Sequence, residues 1–171
     1  KTDIQPEQMR KISVDLKDDF DYVLIDSPAG IEQGFQNAAA GADEALIVTT
    51  PEVAAVRDAD RIIGLLQNME ISKMHLIINR LAPRMVKAGD MMGQQDVIDI
   101  LSIELIGIVP EDPEIVVSTN RGMPLAYNHG SLAGEAYNRI AQRLEGEDVP
   151  IPEFKAENWL SQLMGKLTGG S

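Results

Sequence analysis

Four short apolar runs, each closed by a turn and separated from the next by a stretch of helical period, constrain this chain more than any other feature. The runs are Tyr22–Ile25, Ala45–Thr49, Met74–Ile78 and Leu105–Val109. Continuous apolar runs of this length, bounded by turn residues, read as strands buried on both faces of a parallel sheet. The segments around them repeat at three and four residues. Pro6–Phe20 sets Met9, Ile12, Leu16 and Phe20 on one helical face. Ile31–Gly41 reads as helical, with Ile31, Phe35, Ala38 and Ala42 in register. Ala54–Met69 is the strongest helix, with Val56, Ala59, Ile62, Ile63, Leu66 and Met69 in one stripe. Asp90–Leu101 turns Val97, Ile98 and Leu101 inward, and a short helix runs from Ile115 to Asn120. Leu132, Ala136, Tyr137, Ile140 and Leu144 mark the last helix, whereas the stretch with Pro83 and Gly89 reads as a loop. Alternation of this kind predicts right-handed βαβ crossovers, hence an α/β fold whose parallel sheet is covered by helices on both faces.

Ligands of such sheets sit beyond the carboxyl ends of the strands. Three of the four runs end in polar groups suited to a ligand: Asp26, Asn79, and the pair Glu111-Asp112. A carboxylate such as Asp26 holds Mg2+ readily through water, because that ion gives up its water reluctantly. Each of these residues is also a good turn or loop former by itself. Parallel strands bring all of them to one edge, so the pattern predicts a polar site there.

Composition narrows the chemistry. The 171 residues suit one domain or most of one. The net charge of -12 disfavours nucleic-acid binding, which depends on basic residues neutralising phosphates. Without cysteine, the chain carries no disulfide and no thiolate metal or iron–sulfur ligand. No apolar run approaches the ~18 residues of a membrane span. His75 and His129 have no metal-ligand spacing, and the eight Met residues are scattered like core filler.

Beyond spacing, the motifs YVLIDSPAGIE at Tyr22–Glu32, PEVAAVRDADRI at Pro51–Ile62, Gly89-Asp90-Met91 and GIVPED at Gly107–Asp112 occur in this order. Together they resemble the MinD branch of the ParA/MinD family of P-loop ATPases, over nearly the whole chain. The resemblance implies a P-loop NTPase fold and a membrane-associated ATPase. Such an enzyme uses ATP and Mg2+ and forms a homodimer with ATP. It places the division septum by recruiting MinC, under control of MinE-type regulators. It implies that Asp26 is the Walker B aspartate and that Ser27, Pro28, Ala29 and Gly30 form switch II. It sets Asn79, Arg80, Pro110, Glu111 and Asp112 around the nucleotide base, and Glu52 at the ATP-dependent dimer interface. Glu32, Arg57, Asp58 and Asp60 fall where the family meets its protein partners, although such charges also suit a solvated face.

The chain departs from the family at its front, where no Gly-Lys-rich phosphate loop is found. That loop supplies backbone N–H groups and a lysine to the phosphates. In the family the same missing part carries a central strand. The expectation is therefore a C-terminal portion, truncated upstream of Lys1 and inactive alone: a partial ATPase domain at 1–146, a linker at 147–153 and a tail at 154–171. The tail sets Trp159, Leu160, Leu163, Met164 and Leu167 on one helical face, with Phe154 just ahead of it. Such a helix lies on an anionic membrane surface, which fits the peripheral location, on the inner face of the cell membrane, that the resemblance implies. Near-neutral charge weakens each tail, so pairing of two would matter. The alternatives are a flagellar-number regulator of the same type, a ParA-type partition ATPase, and a non-catalytic adaptor that kept the partner face without the loop.

Overall fold

The structure, a computed structural model, describes residues 4–127 and 130–152. His129 and the amphipathic tail, with Phe154, Trp159, Leu160, Leu163, Met164 and Leu167, lie outside the described residues. Two helices, α1 (Pro6–Leu16) and α2 (Gln33–Ala40), pack against each other ahead of the sheet. Three parallel strands follow in consecutive order: β1 (Ala45–Thr49), β2 (Met74–Leu81) and β3 (Glu104–Pro110). Helix α3 (Val53–Asn68) links β1 to β2; α4 (Pro83–Ala88) and α5 (Gln94–Leu101) link β2 to β3. After β3 come α6 (Glu114–Asn120), a 3-10 turn at Leu125–Tyr127, and α7 (Leu132–Leu144).

Strand order and handedness decide which face each helix covers. Two right-handed crossovers that advance in one direction put their helices on the same face of a sheet. Helices α3 and α5 accordingly share one core, in which Val56, Ile63 and Leu66 meet Val97, Leu101, Leu76 and Ile78. The opposite face is closed by α7, where Ala133, Ala136 and Ile140 pack on Ile77, Ile106 and Val109. Helix α7 approaches β3 closely because Gly107 has no side chain: a Cβ there would lie 2.2 Å from Ile140 Cγ1.

Cover on this second face stops short of β1. Ile47 and Thr49 are buried, but Leu46 and Val48 expose 40% and 57% of their surface. Nor is Tyr22–Ile25 the buried strand its composition predicts. Among the described residues the segment joins no ladder, and Leu24 is 86% exposed. A strand needs a neighbour for its backbone N–H and C=O groups, and among the described residues the one strand paired with β1 is β2. The Tyr22 hydroxyl lies beside the Glu145 carboxylate, which raises the phenol above its ordinary value.

Other differences are local. The Pro83–Gly89 stretch holds a short helix: Pro83 opens α4, and Gly89 closes it at φ +81°. Helix α2 begins at Gln33 rather than Ile31, and α5 at Gln94 rather than Asp90. In α5 the Asp96 carboxylate accepts from Gly93 N at 2.8 Å, which fixes the start. Helix α6 buries none of its residues. His75 sits within β2 with Nε2 3.6 Å from Glu44 and Nδ1 3.1 Å from Glu104, so it serves the strands' amino ends.

Two irregularities interrupt the β2–β3 ladder. Leu76 pairs with Leu105 and Ile77 with Gly107, so Ile106 is an extra residue on β3. Its carbonyl accepts from Arg143 Nη1 at 2.9 Å. The same guanidinium donates to the carbonyls of Val149 (2.6 Å) and Pro150 (2.7 Å), so the stretch expected as a linker is strapped to α7 over its described part. Burial lowers the Arg143 side chain from its ordinary value, and Arg139 adds to the effect.

The close approach at Gly107 generates a stability prediction. Gly107→Ala should lower unfolding free energy by about 1–3 kcal/mol, the usual cost of overpacking, measured by chemical denaturation. Gly89→Ala, where a Cβ meets nothing within 4 Å, tests a left-handed φ without a clash.

Candidate functional site

The carboxyl ends of β2 and β3 meet in a small cross-linked rim. Asn79 and Arg80 close β2; Pro110 closes β3, followed by Glu111 and Asp112. Glu111 N donates to Leu81 O at 2.9 Å, which joins the two strand ends. Arg80 Nη2 approaches Glu111 Oε1 at 3.4 Å, and Arg80 N donates to Asn79 Oδ1 at 3.0 Å. The Asn79 amide is thereby held by the backbone of its own neighbour, with its nitrogen still able to donate.

Asp112 does a different job from the residues beside it. Its Oδ1 accepts from Glu114 N (2.9 Å) at the start of α6. Its Oδ2 accepts from Ser131 Oγ (2.7 Å) and Ala133 N (3.2 Å) at the start of α7. One carboxylate thus satisfies amide donors at two helix N-termini, where such groups otherwise lack partners. Ser131, itself buried, completes the α7 cap by accepting from Gly134 N at 3.1 Å. Ser131 was not singled out from the sequence; the Ser-Leu-Ala-Gly run before an apolar stripe is a capping signal that could have found it.

Asp26 lies elsewhere. Asp26 through Gly30 line a cavity of about 1060 Å³ bounded by β1 on the other side. Thr49 and Thr50, at the carboxyl end of β1, face the same space, as does Asp58 of α3. Gly30 has φ +98°, a conformation that favours glycine. Asn79, Glu111 and Asp112 are not among the residues lining that cavity. The predicted residues therefore fall in two separate places: Asp26 and the turn to Gly30 on the β1 side, and the rim on the β2–β3 side.

The remaining predicted residues are exposed. Glu52 precedes α3, where its carbonyl accepts from Val56 N at 2.9 Å, and Glu32 stands just before α2. Arg57, Asp58 and Asp60 of α3 are exposed, with Asp58 at the cavity mouth, whereas Val56, Ala59 and Ile63 are buried. No group of three or more acidic, His or Cys side chains among the described residues is arranged to enclose a metal. No described helix is long and apolar enough to cross a membrane.

Known proteins share sequence and fold with this chain. The ParA family pattern, described as the NUBPL iron-transfer P-loop NTPase, matches residues 7–145. Over 170 residues the chain is 51% identical to the septum site-determining protein MinD of Synechocystis sp., covering 98% of this chain and 64% of that protein. The fold is similar to the MinC:MinD cell division protein complex of Aquifex aeolicus (TM-score 0.85, 45% identity, 90% of this chain and 64% of that one). It is also similar to the septum site-determining protein MinD complexed with Mg-ADP from Pyrococcus horikoshii (TM-score 0.71, 25% identity, 82% and 56%). The chain spans less than two thirds of the length of each of these relatives.

Because the Asp112 carboxylate is engaged with both helix starts, Asp112→Ala should cost about 1–2 kcal/mol of stability, a typical cap loss. Glu111→Ala, which removes only an exposed ion pair, should cost well under 1 kcal/mol. Thermal melts of the two variants check the difference.

Proposed function

Because the chain belongs to the ParA/MinD family of P-loop NTPases, we propose that it is the C-terminal portion of an ATPase that dimerises with ATP and positions the division septum. The partners in this reading are MinC, a MinE-type regulator and the inner face of the cell membrane. The family pattern's iron-transfer description is not carried over, because this chain has no cysteine to ligate iron. The observation that carries the reading is the gap beside β1. An extended segment ending in Asp26 and an open strand edge face one cavity, and the relatives supply further chain that this one does not cover. A strand and phosphate loop from that additional chain would pair both edges and join the two half-sites.

The oxygen donors present suit Mg2+, which prefers carboxylates and water. Asp26 is exposed at the cavity, and the Thr49 and Thr50 hydroxyls line the same space. When bound, the ion offsets charge on the phosphates. Asp26 would orient it through water. Ser27 through Gly30 would change conformation with the γ-phosphate, with Gly30 as the point of freedom. Asn79 would donate from its amide to a base edge, while Pro110 and Glu111 would flank the base. Asp112 would act from behind by fixing the turn that carries them. Glu52, at the end of β1, would meet the partner subunit. Glu32, Arg57, Asp58 and Asp60 would form the face for MinC and the regulator.

The full-length protein should hydrolyse ATP with magnesium, and Asp26→Asn should reduce turnover by about 100-fold or more, as loss of a group acting on developing charge does. The isolated 171-residue chain should show no such turnover. Hydrolysis by the isolated chain at the full-length rate would defeat the fragment reading.

Membrane association is tested separately. Residues 150–171 fused to a fluorescent reporter should associate weakly with anionic vesicles as one copy and clearly as a tandem pair, because linking raises effective concentration. Absence of association in both forms would remove the membrane from the proposal.

A further inference from the structure

We propose that Arg80 is a positioning residue for nucleobase selectivity, acting through its left-handed backbone rather than its guanidinium. The inference rests on the nucleotide reading above. Among the described residues three non-glycine residues have positive φ: Glu70, Arg80 and Ser102. Glu70 and Ser102 stand at the ends of α3 and α5, where that conformation is ordinary. Arg80, at φ +59°, stands inside a strand.

The reason is a bulge. Asn79 pairs with Val109 and Leu81 with Pro110, so Arg80 is an extra residue on β2. Along this strand Met74, Leu76 and Ile78 point into the core under α3. Strict alternation would send Arg80 to that core next. The extra residue gives the place to Leu81, which is 3% exposed, and leaves the Arg80 side chain 63% exposed. A charge is kept out of the core at the cost of a conformation disfavoured by about 1–2 kcal/mol.

The same turn controls Asn79. The bulge keeps Asn79 paired with Val109 and Leu81 with Pro110, which fixes the peptide between Asn79 and Arg80; its N–H donates to Asn79 Oδ1 at 3.0 Å and settles which end of the amide accepts internally. The amide nitrogen is then the group presented to a base. The guanidinium adds little, since its contact with Glu111 is long and solvated. Bulges beside functional sites serve this purpose, re-aiming a side chain.

The test compares Arg80→Gly with Arg80→Ala in the full-length protein. Both lose the charge that keeps residue 80 out of the core, so backbone preference alone is left to hold the bulge, and glycine adopts positive φ freely where alanine does not. Binding of ATP, GTP and magnesium tripolyphosphate is measured for each. Arg80→Gly should keep ATP affinity within about twofold and retain the wild-type preference between ATP and GTP. Arg80→Ala should weaken ATP binding about fivefold and flatten that preference, with tripolyphosphate affinity unchanged. Equal behaviour of the two variants would overturn the inference, because the side chain or neither feature would then be responsible. A parallel loss of tripolyphosphate affinity would overturn it as a general loss of structure, and melting curves identify that case independently. A wild type that binds all three without preferring a base overturns the inference but leaves the phosphate half-site standing. A wild type that binds none of the three overturns the nucleotide reading itself.

Discussion

Parallel pairing of three strands in chain order is the constraint on which the rest depends. Once β1, β2 and β3 lie side by side, the hand of the crossovers places α3 and α5 on one face. The other face is left to the first helix able to return after β3, which is α7. That helix packs on Ile77 of β2 and on Ile106 and Val109 of β3, while Leu46 and Val48 of β1 stay 40% and 57% exposed. The cavity between β1 and the Tyr22–Gly30 segment follows from that topology, and the carboxylate of Asp26 stands on its wall.

Departures from regular pairing are concentrated on β2 and β3, and each serves an attachment. The extra residue at Ile106 offers a carbonyl to Arg143, which ties β3, α7 and residues 149–150 together. Gly107 beside it lets α7 approach. The extra residue at Arg80 lies at the opposite, carboxyl end of the same ladder, beside Asn79 and Glu111. Asp112 then couples this rim to α6 and α7. One carboxylate therefore joins the rim to the starts of both helices. On the β1 side the Glu145 carboxylate lies near Tyr22, at the start of the segment that ends in Asp26.

Much of this was legible in the residues. Three of four apolar runs are strands, the α3 stripe buries Val56, Ala59, Ile63 and Leu66, and the motifs carried the family resemblance that the comparisons bear out. The Tyr22–Ile25 run failed as a strand for a reason no local pattern contains: an apolar run becomes a strand only if another strand offers it an edge. The helix opened by Pro83 was hidden for the converse reason, since proline and glycine mark helix ends as readily as loops.

By itself the sequence determined the alternation of elements, the α/β class and which polar residues stand at strand ends, because these depend on periods of two and 3.6 residues and on turn chemistry along a few neighbours. Only the tertiary structure decided that Asp26 and the Asn79–Asp112 rim lie apart. It alone showed that Asp112 holds two helix starts, and that Arg80 pays a backbone strain to keep its charge out of the core. Each of those depends on groups far apart in sequence meeting at hydrogen-bond distance, or on a ladder slipping by one residue.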